Sequence, residues 1–140
     1  MPTECIAKTI RDRVKKKAKG ACEYCKAIRV YSSSPFAIEH IIPIAKNGSN
    51  LFENLAYSCN NCNLSKNTAT AGFDLITEKE ISLFNPRTQN WKNHFKWSAD
   101  FLKMQGLTPI GRVTIAKLKT NRIENINLRT VLIGIVHPPD

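Results

Sequence analysis

Apolar positions recur near the start of the chain at Ile6, Ile10 and Val14, with Lys8, Arg11, Lys15 and Lys19 on the other faces. This i, i+4, i+8 spacing predicts an amphipathic, basic helix, and Thr3 is its expected cap. Beyond residue 20, Ile28 to Tyr31 and Phe36 to Ile42 are rich in β-branched and aromatic residues. Those runs predict two strands, the second closed by Pro43. Asn47, Gly48, Ser49 and Asn50 are turn formers inside a long loop from Ala45 to Asn54. A short strand at Leu55–Ser58 and a short helix from Asn60 through Asn63, Leu64 and Lys66 should follow.

In the second half, Phe95 and Trp97 alternate as in a strand with one buried face, which favours a core role over base stacking. Thr108 followed by Pro109 predicts a helix start, a cap and a first-turn proline. Residues 122–136 fit a last helix, although 131–136 is β-branched enough for a strand. No stretch resembles a linker or a repeat. The expectation is one α+β domain over residues 1–140, with a basic helix at 1–20, a core at 21–67 and a mixed α/β extension at 68–140.

The chain has 140 residues and 42% apolar composition, enough for one modest core. Lys and Arg exceed Asp and Glu by 21 to 11, a formal charge of +10. That balance suits a polyanionic partner, whose phosphates attract cations and release counterions on binding. On the first helix, a phosphate-gripping face and an ordinary solvated surface both fit. No segment has the pattern of a secretory leader or approaches the roughly 18 apolar residues of a membrane helix. A soluble, cytoplasmic protein with no membrane partner and no small-molecule cofactor is expected.

Five cysteines disfavour a fully paired disulfide framework. Four of them form two C-x-x-C pairs, Cys22 with Cys25 and Cys59 with Cys62, leaving Cys5 over. Each pair delivers two thiolates from one tight turn, and together they satisfy the tetrahedral demand of Zn²⁺. With every position filled by sulfur, such a zinc is structural, since a catalytic one keeps an open position. The intervening chain has room for a hairpin and a loop too small to fold stably alone.

Between the pairs lies the run Ala37 to Pro43, with Glu39 next to His40, and Asn63 directly follows the last thiol. Phosphodiester hydrolysis needs a deprotonated water, a cation near the developing negative charge and a route for the leaving oxygen. His40 suits the first task, because an imidazole is a competent base near neutral pH. The oxygens of Glu39 and of the Asn63 amide are hard ligands suited to Mg²⁺ or Mn²⁺. As neighbours on a strand, Glu39 and His40 point to opposite faces unless the strand bends at its end.

EHIIP from Glu39 to Pro43, then Gly48, Asn54-Leu55 and CNNCNLSK from Cys59 to Lys66, resembles the HNH endonucleases, whose core is the ββα-metal fold. The resemblance spans about Cys22 to Lys66. It implies His40 as the general base, Asn54 as the residue that steadies the loop and the base, and Asn63 as a ligand of the catalytic ion. Glu39 stands as a second ligand or site-shaping acid. The implied substrate is DNA, cut to 5′-phosphate and 3′-hydroxyl ends. Lys66, one turn past Asn63, is a candidate phosphate contact, with a solvated helix lysine as the plainer reading.

A looser likeness to the tails of small stand-alone HNH proteins covers Phe84 to Arg87, Trp91 to Trp97 and Gly106 to Arg112. Arg87 and Arg112 are candidate phosphate contacts, weighed equally against surface salt bridges. His94 and His137 receive no role. The competing reading is a zinc-stabilised nucleic-acid-binding module without catalysis, which leaves Glu39, His40, Asn54 and Asn63 unexplained.

Overall fold

The computed structural model describes residues 5–139. Helix α1 spans Lys8–Ala18 and starts at Ala7, which makes no side-chain cap. The expected cap, Thr3, lies outside the described residues. Val14 of α1 is buried against Leu55 and Tyr57, with Ile6, Ile10 and Ala18 beside it, so the i, i+4 stripe is the packed face. Lys19 takes a left-handed conformation and ends the helix.

The first cysteine turn follows at once. A bridge pairs Ala21 with Ile28, and the Cys22 amide donates to the Ala27 carbonyl at 2.9 Å. The strand expected at Ile28–Tyr31 stops there: Arg29–Tyr31 is a 3-10 turn. Ser32 Oγ donates to the Ile28 carbonyl at 3.0 Å, a local bond that competes with strand pairing. Val30, 80% exposed, finds no sheet to pack on.

Strand β1 (Ala37–His40) pairs antiparallel with β2 (Leu55–Ser58), setting Glu39 opposite Ala56 and His40 opposite Leu55. The first strand is shorter than the run Phe36–Ile42 because Asn54 takes over its end. Ile41 N–H donates to the Asn54 carbonyl at 2.8 Å, and Ile42 N–H donates to Asn54 Oδ1 at 2.8 Å. The loop between holds two 3-10 turns, Ile44–Lys46 and Phe52–Asn54. Helix α2 covers Asn60–Lys66, and Cys59 Sγ caps it by accepting from the Cys62 amide. The strand, strand, helix order around the thiols is the expected ββα unit.

The extension adds two more antiparallel ribbons, β3 (Ala71–Asp74) with β4 (Lys79–Ser82) and β5 (Phe95–Trp97) with β6 (Met104–Gly106). The short helix α3 (Trp91–His94) leads into β5. Helix α4 (Pro109–Leu118) begins as expected, with Thr108 Oγ1 accepting from the Gly111 amide. Helix α5 (Ile123–Leu132) ends before the β-branched tail, where Ile133 bridges His137. The larger core joins the cysteine turns to this extension through Tyr24, Phe84, Phe95, Met104, Val113 and Leu118. Arg129 of α5 ties the parts together, donating to the carbonyls of Leu102 at 3.0 Å, Thr120 at 2.8 Å and Cys25 at 3.5 Å.

Candidate active site and metal centre

Cys22, Cys25, Cys59 and Cys62 are buried, and their Sγ atoms all lie within 4.8 Å of one another. The Cys25 and Cys59 sulfurs are 3.6 Å apart, far beyond a disulfide bond of about 2.05 Å. Four sulfurs about 2.3 Å from a tetrahedral zinc stand at this kind of separation. Within each turn the amide of the second cysteine points at the sulfur of the first, Cys25 at Cys22 and Cys62 at Cys59. Hydrogen bonds with Cys22 first and then with Cys59, together with burial, raise the Cys25 thiol well above the ordinary thiol value, and bonds with Cys22, Cys25 and Cys59 together with burial do the same to Cys62. Burial also works against a Cys22 thiolate, but hydrogen bonds from the other three lower it well below that value. Four crowded thiols therefore become thiolates together only around a cation, which is the donor chemistry of a structural zinc.

A cleft of about 300 Å³ opens beside this cluster, lined by Glu39, His40, Pro43, Asn63 and Asn67 with Ile38 and Ile44. His40 ends β1 and is half-buried, and its Nε2 lies 2.7 Å from Asn50 Oδ1. With that amide oxygen as acceptor, Nε2 carries the proton and Nδ1 keeps the lone pair a base requires. The second cysteine turn sets Asn63 in α2 on the same cleft. Its amide makes no hydrogen bond to another side chain among the described residues, so its oxygen is available to a ligand.

Asn54 works on the loop. Nδ2 donates to the carbonyls of Ile42 at 2.9 Å and Ser49 at 2.8 Å, while Oδ1 accepts from the Ile42 amide. These bonds fix the chain on both sides of the turn that brings Asn50 to His40. Gly48 is required in the same fold: a Cβ there would stand 1.7 Å from the Ile42 carbonyl oxygen and 2.8 Å from Asn54 Nδ2.

Glu39 points the other way, into the interior, and is 5% exposed. Its Oε2 accepts from the Tyr24 hydroxyl at 2.9 Å, and its Oε1 lies 2.7 Å from Lys66 Nζ. That contact is a buried ion pair, so both carboxylate oxygens of Glu39 face a partner inside the protein. Burial raises the Glu39 carboxyl above its ordinary value, and the Lys66 ammonium and Tyr24 hydroxyl hold it back.

Lys66 corrects the sequence reading on both counts. It is 1% exposed, neither solvated nor within reach of a phosphate. Its ammonium donates to the carbonyls of Ile41 at 2.9 Å and His40 at 3.2 Å, pinning the end of the strand that carries the base. Arg87 is also buried rather than offered to a backbone, paired with Glu23, whose other oxygen accepts from the Tyr57 amide. Arg112 forms a two-pronged pair with Asp74 at 2.9 and 3.0 Å, so the salt-bridge alternative holds for it. Of the histidines without a role, His94 bonds Thr108 Oγ1 at 2.7 Å and His137 bonds the Phe101 carbonyl at 2.6 Å.

Sequence reasoning missed Tyr24 and Asn50. Tyr24 had one signal, its place between two paired thiols, where a side chain must face the ligated interior or solvent. Asn50 had none, because turn asparagines are common and only the closed loop shows which one meets the imidazole.

A family model described as HNH endonuclease matches residues 22–69. Neither the curated proteins nor the solved structures gave a match to the chain.

Proposed function

Starting from the HNH endonuclease family that residues 22–69 match, we propose that this protein is a metal-dependent endonuclease that hydrolyses phosphodiester bonds in DNA. The observation that carries this reading is the single cleft shared by His40, Asn63 and the Glu39 wall, separate from a closed four-thiol cluster. His40 takes the proton of the attacking water at Nδ1, and Asn50 holds the tautomer that leaves this nitrogen free. Asn54 and Gly48 keep the loop closed around that pair. Asn63 supplies the hard oxygen on the cleft that would hold a divalent ion, Mg²⁺ or Mn²⁺, whereas Glu39, turned inward onto Lys66 and Tyr24, shapes the wall rather than offering a free ligand oxygen. Such an ion supplies positive charge for the scissile phosphate and the leaving 3′ oxygen, which fits 5′-phosphate and 3′-hydroxyl products. Lys66 acts through the backbone, as a positioning residue for β1.

The DNA assignment draws on the family and on the charge of +10. The whole chain acts as one nuclease domain in this reading, an idea supported by the bond from Arg129 back to the Cys25 carbonyl of the first cysteine turn. Supercoiled plasmid incubated with zinc-loaded protein and Mg²⁺ or Mn²⁺ should be nicked or linearised. His40→Ala should lower the cleavage rate about 10²–10⁴-fold while leaving zinc content and melting temperature unchanged. Absence of cleavage under either ion, with plasmid still bound, would return the protein to the non-catalytic binding module.

A further inference from the structure

A second and longer depression runs past the first cysteine turn and shares no lining residue with the His40 cleft. One stretch, about 800 Å³, is walled by Lys17, Lys19 and Trp91 among others. It continues into a stretch of about 580 Å³ walled by Trp91, Lys92, Lys96 and Trp97. Lys26, Asn90, Trp91 and Pro139 line both. Among the described residues that line the groove Glu23 is the one carboxylate, and Arg87 already pairs with it inside the protein. Five lysines therefore face this groove, with no other carboxylate among the described residues lining it.

The floor is aromatic and held in place. The rings of Trp91 and Trp97 are half-buried, with centroids 5.5 Å apart. Trp91 donates its indole N–H to the Tyr24 carbonyl at 2.9 Å. Trp97 is braced by the Arg129 guanidinium at 5.0 Å and the His137 ring at 4.6 Å. Lys26 Nζ stands 5.4 Å from the Trp91 centroid. Packing alone accounts for Phe95, which is fully buried. Trp91 and Trp97 pack on that core with part of each ring, Trp91 against Phe95 at 5.1 Å, and the rest of each indole opens onto a row of cations.

We propose that this groove is a second nucleic-acid subsite that takes an unpaired, single-stranded segment of DNA, with bases stacked on Trp91 and Trp97 and phosphates held by Lys26, Lys92 and Lys96. Cations that track a backbone beside rings that meet its bases are the general means of gripping single strands, whatever their sequence. A duplex keeps its base faces stacked on one another and has none to offer. An acidic peptide matches the charge but brings no flat faces for the indoles. Only the choice of DNA as the polymer depends on the nuclease reading above.

Trp91 and Trp97 are the two tryptophans of the chain, so its tryptophan emission reports on this groove. Zinc-loaded His40→Ala protein, without Mg²⁺ or Mn²⁺, is titrated with oligo-thymidylate, with a blunt duplex of equal length and with polyglutamate. The single strand should quench the emission saturably, and the other two should leave it unchanged. Lys92→Glu/Lys96→Glu should weaken oligonucleotide binding about tenfold or more, while Lys79→Glu/Lys117→Glu, outside the groove, should change it about twofold or less. Equal quenching by duplex or polyglutamate, no quenching by the single strand, or equal effects of the two double variants would overturn the subsite. Plasmid cleavage persisting in that case leaves the nuclease reading standing. Single-strand quenching by a protein that never cleaves removes the nuclease reading and keeps the subsite.

Discussion

Lys66 shows how one side chain can be misjudged from sequence. A lysine at the end of a short polar helix reads as solvent-facing, yet this one is 1% exposed beside a Glu39 that is 5% exposed. Removing one partner of such a pair leaves the other charge buried and uncompensated, at a cost of about 3–5 kcal/mol. Lys66→Met should lower unfolding free energy by about that much in denaturant titration, and adding Glu39→Gln should restore part of it. A loss below about 1 kcal/mol would mean that the pair is not intact in solution. Replacing His40 by Ala should cost about 10²–10⁴-fold in cleavage rate, the usual worth of a positioned base. His40, Asn54 and Asn63 stand out in the sequence because each falls in a spaced motif, and the fold sets His40 and Asn63 on one cleft with Asn54 in the adjoining loop. Lys66 was not, because its partners are two strand-end carbonyls and a carboxylate 27 positions earlier, brought together only by the fold.

At the level of elements, the signals that worked were local. Thr108-Pro109 predicted the start of α4, and Thr108 Oγ1 accepts from the Gly111 amide at 3.1 Å. Thr108→Ala should destabilise the protein by about 1 kcal/mol, visible as a lower melting temperature with cleavage retained. The strand expected at Ile28–Tyr31 failed because propensity cannot supply a partner. One bridge to Ala21 exists, and the chain then turns away. The β3–β4 hairpin is joined to α4 by Asp74 and Arg112, a pairing across the fold with no trace in local pattern. Hydrogen bonds from Arg112 first, then from Thr77, hold the Asp74 carboxyl below the usual carboxylate range. A depressed folded-state value means that its stabilisation is present above the unfolded value, about 4, and is lost as pH falls toward the folded one. Wild type should therefore exceed Asp74→Asn in stability at pH 6, with the gap closing between about pH 4 and pH 2. A gap independent of pH would show that the pair contributes by shape alone.

For the molecule as a whole, the four thiols dominate the prediction. Elemental analysis should find one zinc per chain, and stripping it should collapse the β1–β2–α2 unit, seen as lost ellipticity that returns on adding Zn²⁺. Protein without zinc that keeps its spectrum and its unfolding midpoint would contradict the assignment. The ββα unit was legible because metal ligands, turn formers and chemical residues are tightly spaced there. The extension was legible only as a set of candidate helices and strands. Its two ribbons and its docking on the cysteine turns depend on long-range pairs such as Phe84 with Tyr24 and Arg129 with Cys25.

Arg129 reaches the Cys25 carbonyl across 104 positions of sequence. Segments joined in this way open together, so amide protons of α5 and of the first cysteine turn should exchange with deuterium at matched rates. Loss of the ion would then be felt at the far end of the polypeptide as early as at the thiols themselves.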